Sequence, residues 1–219
     1  MQMFGRRVVA LLLMAGTGVL PAACSGGSRP ELSEPDPVAD AGAPVGEPGV
    51  DAVLTLLESP TDASFTATYA LVLRLGNVSS SATVALDDAG RRSVTIGSVR
   101  FLSGGDQPEQ TCRLGDGGGC EEGILEARTS DLGFSSGFAT DVPARRLRIA
   151  WERRAGEPLP DATTIAGIDA TCVSVPVGTG VESYCAIAPG ILARWAAADV
   201  IVELESFRDG ADAGLFSER

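Results

Sequence analysis

The chain predicts a β-rich α+β domain, an antiparallel sheet with a few short helices packed on it, and three observations carry that class. Along the 219 residues, apolar and polar side chains alternate in several long runs. Turn-forming glycine, asparagine and aspartate follow the runs closely, which joins neighbouring strands as hairpins. Helical spacing is confined to a short stripe near residue 50 and to a middle segment.

Taken in order, the chain opens on an export signal. Arg6 and Arg7 precede an apolar run over residues 8–20, and small residues then lead into Cys24. A charged start, a short apolar core and small residues before a cleavage point make a secretory signal. A membrane-spanning helix needs about 20 apolar residues; this run is shorter, ends at Pro21 and meets no stop-transfer pattern. Residues 20–27, Leu-Pro-Ala-Ala-Cys-Ser-Gly-Gly, resemble a bacterial lipobox, whose cysteine is diacylated and becomes the new N-terminus. Pro21 stands where a lipobox usually has leucine, so an ordinary signal peptide is the alternative. Arg6 and Arg7 carry too little of a twin-arginine motif to count. The reading is a lipoprotein signal peptide over residues 1–23, with Cys24 as the lipidation site that carries the acyl (palmitate) chains. They hold the protein on the extracytoplasmic face of the cell membrane.

Residues 24–48 hold five prolines, several glycines and five acids, with almost nothing apolar, and read as a disordered tether. One domain over residues 49–208 follows. Val50, Val53, Leu54 and Leu57 fall on one stripe of a short helix that Ser59 and Pro60 stop. The first strand puts Phe65, Ala67, Tyr69, Leu71, Leu73 and Leu75 on one face and Thr66, Thr68 and Arg74 on the other. Gly76 and Asn77 turn the chain into a second strand with Ala82, Val84 and Leu86 on one face. After the turn at residues 87–90, residues 92–102 read as a third long strand.

The middle is less regular. A glycine-rich loop at residues 115–119 lacks the Gly-Lys-Ser/Thr ending of a phosphate cradle and the repeated acids of a calcium loop. It reads as a loop bracketed by Cys112 and Cys120. Residues 124–138 suggest a short helix and a loop. Asp141 then reads as the N-cap of a helix with Pro143 in its first turn, although residues 148–151 also fit a strand. From residue 163 strands and tight turns return: 163–166, 170–177, 180–188, 191–196 and 199–207. Residues 209–219 read as a disordered acidic tail.

Five cysteines leave an odd one in an exported protein. With Cys24 lipidated, the short spacings favour Cys112 with Cys120 and Cys172 with Cys185. If Gly178 and Thr179 form a two-residue hairpin loop, residues whose numbers sum to 357 face each other, and Cys172 and Cys185 satisfy that sum. Directly opposed residues lie within disulfide reach, and closing such a loop contributes about 3 kcal/mol on the chain-entropy model. Zinc is the competing reading, but tight ligand spacing is missing and the chain has no histidine.

Charge excludes some functions. The chain has 17 basic residues, all arginine, against 29 acids; removing the first 23 residues of 219 leaves 196, with 15 arginines and a net charge near −14. No basic cluster remains to neutralise a run of phosphates, so nucleic acid is not expected as a partner. Docking on anionic headgroups is disfavoured for the same reason, which leaves acyl chains on Cys24 as the membrane link. With no histidine, no spare thiol once the disulfides close and no Gly-x-Ser-x-Gly elbow, the chain is not expected to be an enzyme. A carboxylate pair among the acids is the one catalytic alternative left. Neither a cofactor nor a metal is expected, and the protein is read as a monomer.

The order of helix, three-strand meander, helical middle and antiparallel run is similar to the half-barrel of LolA-like lipoprotein carriers and of mycobacterial cell-wall lipoproteins that bind acylated lipids. The local resemblance sits in residues 64–69 and 164–167, at Cys172, Tyr184 and Cys185, and in residues 190–194. Ala and Gly are abundant and lysine is absent, a composition typical of a GC-rich (actinobacterial-type) source. The resemblance implies a strongly curved sheet with the helices on its concave face around an apolar cavity for acyl chains. Phe65, Tyr69, Leu71, Leu73, Val84 and Leu86 are the candidate pocket residues, available to line that side. Two functions follow: an anchored carrier or sensor of a lipid or other apolar ligand, or an anchored interaction or structural module of the envelope without a cavity. For the second, the same six residues form a solid core, and the acidic surface suits a basic partner.

Overall fold

The structure, a computed structural model, describes residues 42–217, and the predicted signal peptide, Cys24 and most of the predicted tether lie outside them. Helix α1 (Pro48–Glu58) comes first, followed by strands β1 (Phe65–Leu73), β2 (Val78–Leu86), β3 (Arg91–Ile96), β4 (Val99–Gly104), β5 (Gln110–Arg113) and β6 (Cys120–Glu122). A crossover with a 3-10 turn (Glu126–Thr129) leads to helix α2 (Asp141–Glu152). Strands β7 (Leu159–Ile165), β8 (Ile168–Val177), β9 (Gly180–Ala188), β10 (Ile191–Ala196) and β11 (Val200–Asp209) complete the sheet, and a second 3-10 turn spans Ala213–Phe216.

All eleven strands form one open antiparallel sheet in the order β6-β5-β4-β3-β2-β1-β11-β10-β9-β8-β7. Two meanders, β1–β6 and β7–β11, therefore meet where β1 pairs with β11, from Phe65 opposite Asp209 to Leu73 opposite Val200. The register slips between Thr68 and Tyr69 on this seam and around Leu192 between β9 and β10. Such bulges sharpen local twist and bend a strand, which curves the sheet.

Helix α1 forms as its stripe predicts, burying Val50, Val53, Leu54 and Leu57 against β8, β9, β10 and α2. Glu47 caps it by accepting from the amides of Gly49 and Val50 at 2.7 and 3.3 Å. Asp51 reaches back to accept from the amides of Val45 and Gly46. The segment just before α1 is thus bound to the helix rather than extended away from it, because these acids find donors in it. In α2, Leu147, Ala144 and Ala150 are buried, which makes the 143–152 segment a helix rather than a strand. Asp141 is its first residue and not its N-cap; Thr140 holds that place and makes no side-chain capping bond.

Two other expectations change. Residues 92–102 are not one strand: they fold at Gly97 and Ser98 into the β3–β4 hairpin, with Gly97 at φ +57°. Glycine enters that left-handed region at little cost. Residues 209–217 are not a frayed tail either. The amides of Gly210, Ala211 and Asp212 bond to Ser64 and Thr66, and the buried Arg100 guanidinium donates to the carbonyls of Gly214 and Ser217. Arg91 lies over the Phe216 ring, 5.0 Å from its centre. Polar side chains, not an apolar stripe, fasten this end.

Both disulfides pair as the spacings favour, Cys112 with Cys120 and Cys172 with Cys185, each across one hairpin. The β8–β9 register runs through Thr171 opposite Ala186 and Val177 opposite Gly180, as the two-residue loop requires.

Candidate functional site

A cleft of about 560 Å³ opens between the end of α1, the first turns of α2 and the inner face of β1–β3. The strand register explains its wall. Phe65 stands opposite Leu86, which stands opposite Arg92; one step along, Ala67, Val84 and Val94 form the next row. Residues opposed across antiparallel strands share a face, so both rows point inward. Leu57 and Ala144 supply the helical side, and Pro60, Thr61 and Gly190 close one end. The backbone at Gly190 passes close to the last turn of α1 and the residues after it: its amide donates to the Leu56 carbonyl at 2.7 Å. An added Cβ there would stand 3.1 Å from the Ser59 carbonyl oxygen.

Tyr69 and Phe138 mark the cleft's inner limit. The two rings meet edge to face, 5.4 Å apart at 88°, and the Tyr69 hydroxyl donates to the Leu192 carbonyl at 3.0 Å. Burial pushes the Tyr69 phenol well above its ordinary range, and Arg92 only partly offsets this, so it stays a neutral donor.

The cleft's charges come from both helices and from strand β3. Arg148 of α2 holds Glu58 of α1 by two parallel bonds, Nε to Oε1 at 2.6 Å and Nη2 to Oε2 at 2.7 Å. This fork geometry is the strong, directional form of the ion pair. Asp141 and Arg145 pair more loosely at 3.2 Å, one turn apart and in water. Arg92 donates through Nη1 and Nη2 to the Thr140 hydroxyl, both at 3.3 Å.

Of the six predicted pocket residues, Phe65, Tyr69, Val84 and Leu86 line the cleft. Leu71 and Leu73 do not. Leu71 is wholly buried, and Leu73 lies so close to Gly133 that a Cβ there would stand 2.9 Å from its Cδ2. The crossover segment fills the concavity at that end of β1, so the far half of the strand packs as core. The lipidation site, Cys24, is outside the described residues.

Sequence reasoning missed Arg92, Glu58, Arg148 and Thr140. For Arg92 a signal existed: once residues 87–90 are taken as a turn, it falls opposite Leu86, on the apolar face. The α1–α2 pair had none, since 90 residues separate Glu58 and Arg148.

No known protein family and no curated protein matches this chain. Among solved structures it is similar to MucB, at 14% identity and a TM-score of 0.46, covering 78% of this chain and 63% of that one. It is also similar to MucB in the Pseudomonas aeruginosa MucA/MucB complex, at 11% identity and 0.43, covering 78% and 60%. A third likeness is to an outer membrane lipoprotein-sorting protein domain from Vibrio parahaemolyticus, at 10% and 0.32, covering 73% and 91%. The chain spans about three fifths of the length of the MucB chains. With every score below 0.5, these likenesses carry no argument about what the chain does.

Proposed function

We propose that this protein is an anchored extracytoplasmic binding protein that takes one apolar or amphiphilic ligand, a lipid chain above all, into the cleft under α1 and α2. The observation that carries the reading is the cleft itself. Its volume of about 560 Å³ lies within the range of roughly 300–1,000 Å³ usual for small-molecule sites. Its floor is built from the apolar inner faces of β1 and β2 rather than from a loop. The export signal and the two hairpin disulfides suit an oxidising compartment outside the cytoplasm, with acyl chains on Cys24 as the tie to the membrane. The cleft's role is binding rather than catalysis.

The test is to export the Cys24→Ser protein in a bacterial host, purify it without detergent and weigh it by native mass spectrometry before and after organic extraction. About one extractable ligand per protein is expected. Val84→Trp, which fills the floor, should abolish it while leaving the fold measured by circular dichroism. A ligand-free protein that also fails to take up added lipid defeats the reading.

A second reading, an anchored interaction module, has one observation in its favour. Strand β7 is a sheet edge, exposed along six of its seven residues, and Leu159 is 64% exposed. An open edge offers unpaired backbone groups to another strand. Pro160 within it, lacking an amide proton, weakens that offer.

A further inference from the structure

We propose that the ligand carries an anionic oxygen head, a carboxylate or a phosphate, and that Arg92 binds it at the inner wall of the cleft. This rests on the binding reading above and narrows it to anionic amphiphiles. Three arginines and two carboxylates line the cleft of a chain that has 17 basic residues against 29 acids. Two of the arginines are taken: Arg148 is held by Glu58, and Arg145 is paired with Asp141. Arg92 is the remainder. The only hydrogen-bond partner of its guanidinium among the described residues is the Thr140 hydroxyl, a neutral acceptor at 3.3 Å from both terminal nitrogens. Asp141 is close enough to act on it electrostatically, but that side chain is 68% exposed, and solvent screens it.

A sheltered guanidinium without a carboxylate in contact is costly, because one neutral hydroxyl replaces only part of the hydration that burial removes. Burial accordingly pulls the Arg92 guanidinium below its ordinary value, and Asp141 only partly offsets this. An arginine nevertheless stays charged at neutral pH. Its five donors form a planar fork that matches a carboxylate or phosphate, and Thr140 engages only one edge of it. The position completes the design. Arg92 stands in the same cross-strand row as Leu86 and Phe65, so a head on the guanidinium leaves its chain against those two side chains.

Isothermal titration calorimetry of the delipidated Cys24→Ser protein with dodecanoate, dodecyl phosphate and dodecanol separates the possibilities. One or both anions should bind about 10- to 100-fold more tightly than the alcohol, the effect of one charge-assisted hydrogen-bonded pair. Whichever anion is preferred identifies the head. Arg92→Gln should bring the preferred anion down to the alcohol's affinity and leave the alcohol within about threefold, and Arg92→Lys should restore part of the preference. The wild-type comparison stands even if a variant does not fold. Equal affinity for all three ligands overturns the anionic head and leaves the binding reading intact. An anion preference that survives Arg92→Gln overturns the assignment to Arg92. Failure of every probe to bind overturns the binding reading, and this inference with it.

Discussion

Glu58 and Arg148 show how one pair of side chains ties the two helices across the cleft mouth. Arg148 is 7% and Glu58 16% exposed, so their mutual attraction is poorly screened, and each offsets part of the other's lost hydration. Removing one partner should therefore cost more than removing both. Glu58→Ala is expected to destabilise the protein by about 3 kcal/mol in urea unfolding, and Glu58→Leu with Arg148→Met by clearly less. Equal losses for the single and double variants would mean the pair contributes nothing beyond packing. The contrast with Arg145 and Asp141 is instructive. That pair has the same chemistry at 3.2 Å but lies in water, where an ion pair is worth well under 1 kcal/mol.

Among the elements, turns separate what the sequence states from what it conceals. At Gly104, φ is +78° and an added Cβ would stand 2.3 Å from the Gly90 carbonyl oxygen. Gly104→Ala should lower stability by more than about 1 kcal/mol by thermal or urea unfolding, and a neutral outcome would show that the β3–β4 end yields freely. The α1 stripe and the β8–β9 register were legible because each is a local rule: period 3.6 in one case, a two-residue loop between opposed cysteines in the other. The Gly97 hairpin was legible too, but in a subtler form. Val94 and Ile96 are buried on even positions, Val99 and Phe101 on odd ones, and that change of parity marks a two-residue turn between strands. The apolar cleft floor could be read from Phe65, Val84 and Leu86. Its limit at Tyr69 could not, because Phe138 and Gly133 reach β1 from a segment with no period of its own. Arg92 was hidden for another reason: a charge at a strand's start is ordinarily assigned to solvent.

At the scale of the whole molecule, strand order matters more than strand content. β11 lies at the centre of the sheet, between β1 and β10, although it is the last strand in the chain. Neither meander is complete without it. A chain ending after Ala196 would leave the inner edges of β1 and β10 unpaired, with Leu71 and Trp195 losing their neighbour Val202. Such a fragment is expected to show no cooperative unfolding transition by circular dichroism and to aggregate on purification. A monomeric fragment with a sharp transition would mean the halves fold separately.

The two disulfides follow a different order from the sheet. Each joins cysteines adjacent in the chain, 8 and 13 residues apart, and each closes a hairpin that needs no distant strand. On a chain emerging amino end first into an oxidising space, Cys112 meets Cys120 some fifty residues before Cys172 appears. If the first pair closes before Cys172 and Cys185 emerge, it offers them no wrong partner. With Cys24 acylated as proposed, oxidation can then run to the native pairing in one direction, without reshuffling, while the central strand has still to arrive.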